Sequence, residues 1–333
     1  MPARINFGTM ILAGDIGGTK TNLALFDDSV RLIPETQRKF SSPEHASLEE
    51  VLGKYRQEIS APISAAGFGI AGPVKDGVCK ATNLPWEVHG GAIAALLKVS
   101  RVVLVNDLVA NAAGIDVLPE GSFETLHAGK PDAKGNRAIL SAGTGLGQAS
   151  MVYDPHVNHH VAIASEGGHS DFAPRTELQV ELRHYLTSRF GRAEWEQILS
   201  GPGFFNCYTF FRDMKKMEEP GWLRDSMSQQ DKSAAVSIAA LKNQAPIAVA
   251  AMELFVSCYG AQAGNVALGV VATSGVFLGG GIAPKILPML KKQNFLDGFL
   301  DKGKMKDLMG QIPVRVILNA DTALYGAASL AQR

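Results

Sequence analysis

A strand, a glycine turn and a second strand open this chain, and the same arrangement returns further along it. The first copy reads "ILAGDIGGTKTNLALFD" and the second reads "RAILSAGTGLGQASMVYD". With an offset of 127 residues, Gly18 aligns with Gly145 and Asp27 aligns with Asp154, and the apolar positions mostly coincide. A repeated glycine-turn hairpin predicts two related lobes with a cleft between them.

The rest of the pattern indicates an α/β protein of two domains. The chain has 333 residues, more than the roughly 250–300 at which a single hydrophobic core stops growing. Buried strands are predicted at Ser64 to Val74 and Arg101 to Val105, and the helical pattern after the second is expected to be capped by Gly114. Ligands of such sheets gather at the carboxyl ends of strands, where Asn106 and Asp107 lie.

Composition excludes several classes of partner. The formal net charge is zero and the isoelectric point is about 7.1, so neither nucleic acid nor an anionic membrane is expected to bind. The three cysteines form no C-x-x-C pair, which argues against disulfides or a cysteine zinc site and favours a reducing cytoplasm. The uncharged stretch from Leu254 to Pro284 contains Gln262, Asn265 and a break near Gly269, and is interpreted as a buried helix followed by a buried strand.

The first glycine turn is not a P-loop, because Thr19 rather than glycine precedes Lys20 and because Asp15 lies within the turn. Three glycine turns, at 14–19, 143–147 and 279–281, follow predicted buried strands. Together they suggest backbone amides that approach a polyphosphate closely. Asp15 would repel phosphate alone but would attract magnesium through metal-bound water. The predicted ligand is therefore a magnesium–nucleotide complex.

Eight motifs occur along the chain in this order: "DIGGTKTN", "GIAGPV", "TNLPW", "VNDLVANAAGI", "SAGTGLG", "EGGHSDFAP", "LSGPG" and "LGGGIAPKI". Together they resemble the motifs of the bacterial glucokinases, which belong to the sugar kinase–Hsp70–actin superfamily. The resemblance implies a two-lobed actin-like ATPase fold (ribonuclease H-like). The small α/β lobe would comprise residues 1–117 and 318–333, and residues 118–317 would form a larger α+β lobe with a helical insertion.

The same resemblance implies a function and its residues. The expected reaction is phosphorylation of glucose at the 6-hydroxyl by ATP with Mg²⁺, at the entry to glycolysis, in a cytoplasmic homodimer. A hexose needs donors and acceptors around its hydroxyls, and the residues implied are Asn83, Asn106, Asp107, Glu166, His169 and Glu196, with Asp107 as catalytic base. The nucleotide would be bound by Asp15, Gly17, Gly18, Thr19, Lys20, Thr21, Gly143, Thr144, Gly145, Gly280 and Gly281, with Asp15 holding Mg²⁺ through water.

Several of these residues also have an alternative interpretation that involves no role in catalysis or sugar binding. Asp107 could simply cap its helix. The spacing of Glu166 and His169 matches a di-iron ligand pair, but the two glycines between them argue against a helix. Glu196 falls in a charged, helical-looking stretch and is the weakest of the sugar residues. The histidines at 156, 159 and 160 could bind zinc weakly, but the favoured interpretation is a polar loop.

Three functional alternatives remain open from the sequence. The acceptor could be another hexose or an N-acetylhexosamine, or the chain could be a nucleotide switch without kinase activity, like actin or Hsp70. The related repressor–kinase family carries a cysteine-rich zinc motif after its Glu-x-x-His, and no cysteine lies between Cys79 and Cys207. That branch is therefore disfavoured.

Overall fold

The computed structural model describes residues 9–333, apart from the side chain of Ala164. The chain divides into two compact units. The first comprises the residues up to Glu120 together with Val161–Ala164 and Asn319–Arg333, and the second comprises Gly121–His160 and Ser165–Leu318.

The strands are β1 Met10–Ile16, β2 Lys20–Phe26, β3 Leu32–Ser41, β4 Ile63–Ile70, β5 Val74–Lys75, β6 Val78–Lys80, β7 Glu87–His89, β8 Arg101–Asn106, β9 Phe123–His127, β10 Arg137–Ala142, β11 Leu146–Asp154, β12 His159–Ser165, β13 Gly275–Gly279 and β14 Val314–Ile317.

The helices are α1 Leu48–Glu58, α2 Gly90–Leu97, α3 Asp107–Gly114, α4 Glu177–Phe190, α5 Gly201–Asp213, α6 Gly221–Gln229, α7 Lys232–Leu241, α8 Pro246–Val270, α9 Leu287–Leu290, α10 Gln293–Leu300, α11 Lys306–Met309 and α12 Thr322–Gln332. Single 3-10 turns occur at Ser42–Glu44, Gly167–His169 and Gly303–Met305.

The first unit is built on a five-stranded sheet in the order β3-β2-β1-β4-β8. The predicted hairpin is confirmed, because β1 and β2 pair antiparallel with Asp15 opposite Asn22. Strand β4 is parallel to both β1 and β8, so the three carboxyl ends lie at one edge of the sheet. Side chains of β1, β4 and α1 share one apolar cluster, and those of β1, β2 and α12 share another.

The second unit repeats this topology. Its sheet runs β12-β11-β10-β13-β14-β9, and the hairpin β10–β11 is antiparallel whereas β13 is parallel to both β10 and β14. Apart from β9, the strand order matches that of the first unit. The hairpin repeat seen in the sequence therefore marks two sheets of the same connectivity, and the expected two-lobed α/β fold is confirmed. Helices α4–α6 follow one another after Thr176 in the second unit.

Helix α8 is the core helix of the second unit. Within residues 9–333 it is the one helix that is long and apolar enough to cross a membrane, but 78% of its apolar window is buried inside the protein. Strand β13 follows it with every residue buried. The interpretation of this stretch as a buried helix and a buried strand is confirmed.

Two local predictions are wrong. Gly114 is the last residue of α3, but the C-cap is Ile115 in a right-handed conformation. A Cβ on Gly114 would lie 2.2 Å from the carbonyl oxygen of Thr322, so this glycine allows close packing against α12 and is not a cap. The polar loop expected at 156–160 already contains the start of β12, where His160 is buried with Nε2 2.9 Å from the Gly135 carbonyl oxygen.

Candidate active site

Hydrogen bonds from Ser42 hold the first glycine turn in place. Gly17 N–H donates to the Lys20 carbonyl across the turn (2.9 Å), and Ser42 N–H donates to the Thr19 carbonyl (3.1 Å). Ser42 Oγ donates to the Gly17 carbonyl (2.8 Å), so Thr21, whose Oγ1 lies 3.0 Å away, is the donor to Ser42. Thr21 is fully buried while Thr19 and Lys20 are exposed. Thr21 therefore supports the turn, with its buried hydroxyl bonded to Ser42.

Gly18 brings this turn against one of the predicted sugar residues. A Cβ built on Gly18 would lie 2.7 Å from the Cβ of Asn83, which is closer than two carbon atoms can approach. The glycine is therefore needed for this contact, and it places the exposed side chain of Asn83 beside the turn.

Asn106 and Asp107 lie at the junction between β8 and α3. Asn106 is the N-cap residue: its Oδ1 accepts from Leu108 N–H (3.0 Å) and its Nδ2 donates to the Gly72 carbonyl (3.2 Å). Asp107 is the first helical residue, and its Oδ1 also accepts from Leu108 N–H (2.9 Å). The capping position thus belongs to Asn106, and the carboxylate of Asp107 lies at the positive end of the helix.

Asp15 belongs to a group of carboxylates in the same unit. Burial, together with the negative charges of Asp107 and Asp321, raises the pKa of Asp15 from its ordinary value of 3.8 to about 6. Asp321 accepts hydrogen bonds from Asn22 Nδ2 (3.1 Å) and Gln37 Nε2 (2.8 Å). Two further carboxylates thus lie close enough to Asp15 to disfavour its ionisation, and carboxylate oxygens are ligands of the type that Mg²⁺ takes.

The raised pKa of Asp15 predicts a measurable pH dependence. Between about pH 4 and pH 6 the folded chain binds more protons than the unfolded chain, so this carboxyl lowers stability as the pH rises through that window. Asp15→Asn cannot titrate, so it should become more stable than the wild type above pH 6, by on the order of 2–3 kcal/mol. Urea unfolding of both proteins at pH 4.5 and 7.5, with EDTA and no nucleotide, measures the difference. A difference that is equal at both pH values would contradict the assigned pKa.

The second glycine turn lies in the second unit and contacts Glu196. Gly143 N–H donates to the Gly145 carbonyl (2.9 Å) and Gly201 N–H to the Gly143 carbonyl (2.8 Å). Glu196 Oε2 accepts from Leu146 N–H (2.9 Å), and a Cβ on Gly145 would lie 2.6 Å from that oxygen. A predicted sugar residue therefore touches the predicted phosphate turn directly. Thr144 at the tip is exposed.

Glu196 does not lie in a helix, contrary to the sequence interpretation. It belongs to an irregular segment before α5. The "LSGPG" motif fixes the end of that segment: Ser200 caps α5 by accepting from Gly203 N–H (2.9 Å), and its hydroxyl donates to the Glu196 carbonyl (2.7 Å). The motif therefore has a structural role that orients Glu196.

The Glu166–His169 motif forms a single 3-10 turn. Both end residues are exposed, and Glu196 N–H donates to the carbonyl of Gly168 between them (2.9 Å). His169 Nδ1 lies 3.1 Å from Glu194 Oε1. A ring nitrogen of His169 and one carboxylate oxygen each of Glu194 and Glu196 all lie within 4.8 Å of one another. Donors and acceptors concentrated in this way suit a polyhydroxylated ligand.

The third glycine turn adjoins the second. Gly280 has a φ of +78°, and a Cβ there would lie 2.2 Å from the Ala142 carbonyl oxygen. Ile282 N–H donates to that same carbonyl (3.2 Å). Gly280 and Gly281 are both exposed at the end of β13, while Ala142 ends the parallel strand β10, so both turns lie at one edge of the second sheet.

Sequence reasoning missed the residues that support these turns. Ser42, Asp321 and Glu194 each bond a predicted site residue or act on its charge. Gln148 is buried beside Gly167, and its Nε2 has no hydrogen-bond partner among the described residues. No local signal in the sequence identified any of these four residues.

The family model and the relatives found by sequence agree on one family. The glucokinase family model matches residues 12–333. The glucokinase of Synechocystis is 42% identical, with 96% of this chain and 97% of that protein covered, and the glucokinase of Nostoc punctiforme is 37% identical, with 98% and 99% covered. The crystal structure of a glucokinase from an Antarctic psychrotroph superimposes with a TM-score of 0.83 at 27% identity, covering 98% of this chain and 99% of that one. A ROK family glucokinase from Streptomyces griseus, solved in complex with glucose and AMPPNP, shares the fold with a TM-score of 0.66. It is 20% identical, and the match covers 97% of this chain and 99% of that one. With a match of this length to the family model and to such relatives, this chain belongs to the glucokinase family.

Proposed function

We propose that this chain transfers the γ-phosphoryl group of ATP to the 6-hydroxyl of glucose, with Asp107 as general base. The observation that supports this most is the shared edge of the first sheet. The first glycine turn follows β1 and Asp107 follows β8, and one strand, β4, separates these parallel strands. Two interstrand spacings amount to about 10 Å, a distance that a hexose hydroxyl and a phosphoryl group can fill.

In the proposed mechanism Asp107 accepts the proton of the 6-hydroxyl as its oxygen attacks the γ-phosphorus. A new O–P bond forms, the bond to the bridging oxygen of ADP breaks, and ADP leaves. Positioned proton transfer of this kind contributes about 10²–10⁴-fold to the rate. The other hydroxyls would be bonded by Asn83, Asn106, Glu166, His169 and Glu196.

The glycine turns are proposed to bind the nucleotide, since glycine has no side chain and a phosphate can approach the backbone of such a turn closely. The residues concerned are Gly17, Gly18, Thr19, Lys20, Thr21, Gly143, Thr144, Gly145, Gly280 and Gly281. Asp15 would hold Mg²⁺ through water, which suits its proximity to the charges of Asp107 and Asp321. When bound, the ion neutralises phosphate charge. We further propose that the protein acts in the cytoplasm at the start of glycolysis, as a homodimer.

The test is a coupled assay of ADP release with a panel of sugars. Glucose should support turnover, and 6-deoxyglucose, which has no acceptor oxygen, should leave ADP release at the sugar-free background. A site built to bond a given hydroxyl can reject an analogue that lacks it by roughly 10⁴–10⁵-fold. Faster turnover of mannose, fructose or an N-acetylhexosamine would identify a different kinase, and sugar-independent hydrolysis would identify a nucleotide switch.

A further inference from the structure

We propose that Glu194 is a positioning residue for the sugar: its carboxylate holds the imidazole of His169 by Nδ1, so that Nε2 is the nitrogen presented to a sugar hydroxyl. This inference rests on the proposed function, because it assumes that His169 bonds the sugar. It assigns a role to a residue outside the set that the sequence indicated.

The pairing of two backbone segments brings Glu194 close to His169. Glu194 forms an antiparallel bridge with Asp171, and the segments 168–172 and 193–196 exchange three further hydrogen bonds of 2.9–3.1 Å between Phe172 and Ala193, Trp195 and Ser170, and Glu196 and Gly168. Side chains alternate along such a pairing. Glu194 and Glu196 can therefore approach the same turn from one side, and each reaches a different partner there.

The contact leaves one ring nitrogen for a ligand. Nδ1 lies 3.1 Å from Glu194 Oε1, and this is the one side-chain partner of the His169 ring in the described part of the chain. The His169 side chain is 52% exposed, whereas that of Glu194 is 16% exposed. A carboxylate can only accept, so Nδ1 must carry a proton and donate it. Nε2 is then an acceptor when the ring is neutral and a donor when the ring is charged.

The charged groups around the ring support the same arrangement. The hydrogen bond to Glu194 raises the pKa of His169, and the negative charges of Glu196, Glu194 and Glu166 raise it further, against a smaller opposing effect of burial. Among the residues that the structure describes, the one cation in contact with this turn is Arg192. It donates to the His169 carbonyl (2.9 Å) and to Asp171 Oδ1 (2.9 Å) and lies 3.8 Å from Glu194 Oε2. Arg192 contacts the backbone of His169, so Glu194 is the group that fixes its ring.

The experiment compares Glu194→Gln with the wild type in two measurements. A glutamine amide can accept from Nδ1–H or donate to an unprotonated Nδ1, so the ring is no longer restricted to one tautomer. We expect the KM for glucose to rise about tenfold while kcat changes less than threefold. We also expect the pKa of His169, followed by its imidazole proton resonance in sugar-free protein, to fall towards 6.5.

Asp171→Asn is the matched control. It removes the same charge from the facing segment, but Asp171 is 89% exposed and bonds Arg192 rather than the imidazole. Both the KM for glucose and the pKa of His169 should stay at wild-type values in this variant. If it raised KM as much as Glu194→Gln does, the effect would be one of general charge and the inference would be overturned.

A second variant, Glu194→Asp, distinguishes loss of the hydrogen bond from misfolding. Glu194→Asp keeps the charge but withdraws it by one methylene, and it should lie between the wild type and Glu194→Gln in both measurements. An unchanged pKa of His169 in Glu194→Gln, or an unchanged KM, would overturn the inference. These results differ from failure of the proposed function, which would appear as a wild type that releases no ADP in response to glucose.

Discussion

Replacing Asp107 with asparagine should lower kcat for glucose phosphorylation by about two to four orders of magnitude while glucose and ATP still bind. The amide cannot accept the proton of the attacking hydroxyl at neutral pH, so the transition state loses the base. The loss corresponds to on the order of 3–5 kcal/mol of barrier. Binding should survive because the hydrogen-bonding atoms on the sugar's other hydroxyls are untouched.

The structure indicates that this variant folds. In the wild type, Asp107 Oδ1 accepts from Leu108 N–H, and an asparagine Oδ1 can accept from the same group. Asn106 remains the N-cap of α3. What is lost is the favourable interaction of a negative charge with the helix N-terminus, about 0.3–1 kcal/mol. Asparagine therefore tests the role of Asp107 as base with less change to the helix terminus than alanine.

Steady-state kinetics and calorimetric titration of glucose measure the two effects separately. Asp28→Asn serves as the control, because Asp28 is exposed in the turn between β2 and β3 of the same unit and should leave both quantities unchanged. If Asp107→Asn instead weakened glucose binding and kept a normal kcat, Asp107 would be a sugar ligand and not the base.

Much of this site was predictable because its signals are local. Each glycine turn follows a buried strand within a few residues, and the pair Asn106–Asp107 stands at the boundary between a strand pattern and a helix pattern. Local sequence also gave the repeat of the hairpin, which the structure extends to two sheets of equal strand order. The roles of the individual site residues remain predictions that the experiments above address.

What the sequence could not give depends on contacts between distant positions. Glu194 reaches His169 only because two segments about 25 residues apart pair antiparallel, and Asp321 reaches Asn22 across 299 residues. The error at Gly114 has the same origin. A glycine at a helix end has the same local pattern whether it is a left-handed cap or a contact point, and its partner Thr322 lies far along the chain.

The contact between α3 and α12 gives the second large effect that we expect. Gly326 is a buried residue of α12, and a Cβ built there would lie 1.7 Å from the carbonyl oxygen of Ala110 in α3. That atom belongs to a helix backbone and cannot rotate away. Overpacking usually costs 1–3 kcal/mol, and with backbone as the obstacle we expect Gly326→Ala to cost about 3 kcal/mol or more.

Gly53→Ala is the matched control for this variant. Gly53 also lies inside a helix of the first unit, α1, but a Cβ there would meet no other described atom within 4 Å. Alanine in an open helix position is favoured over glycine by roughly 0.5–1 kcal/mol, so the same chemical change should stabilise the protein. Scanning calorimetry of both variants should therefore move the unfolding transition of this unit in opposite directions. Because α3 begins with Asp107, Gly326→Ala should also lower kcat below its melting temperature, and wild-type stability together with full activity would contradict the close packing of these helices.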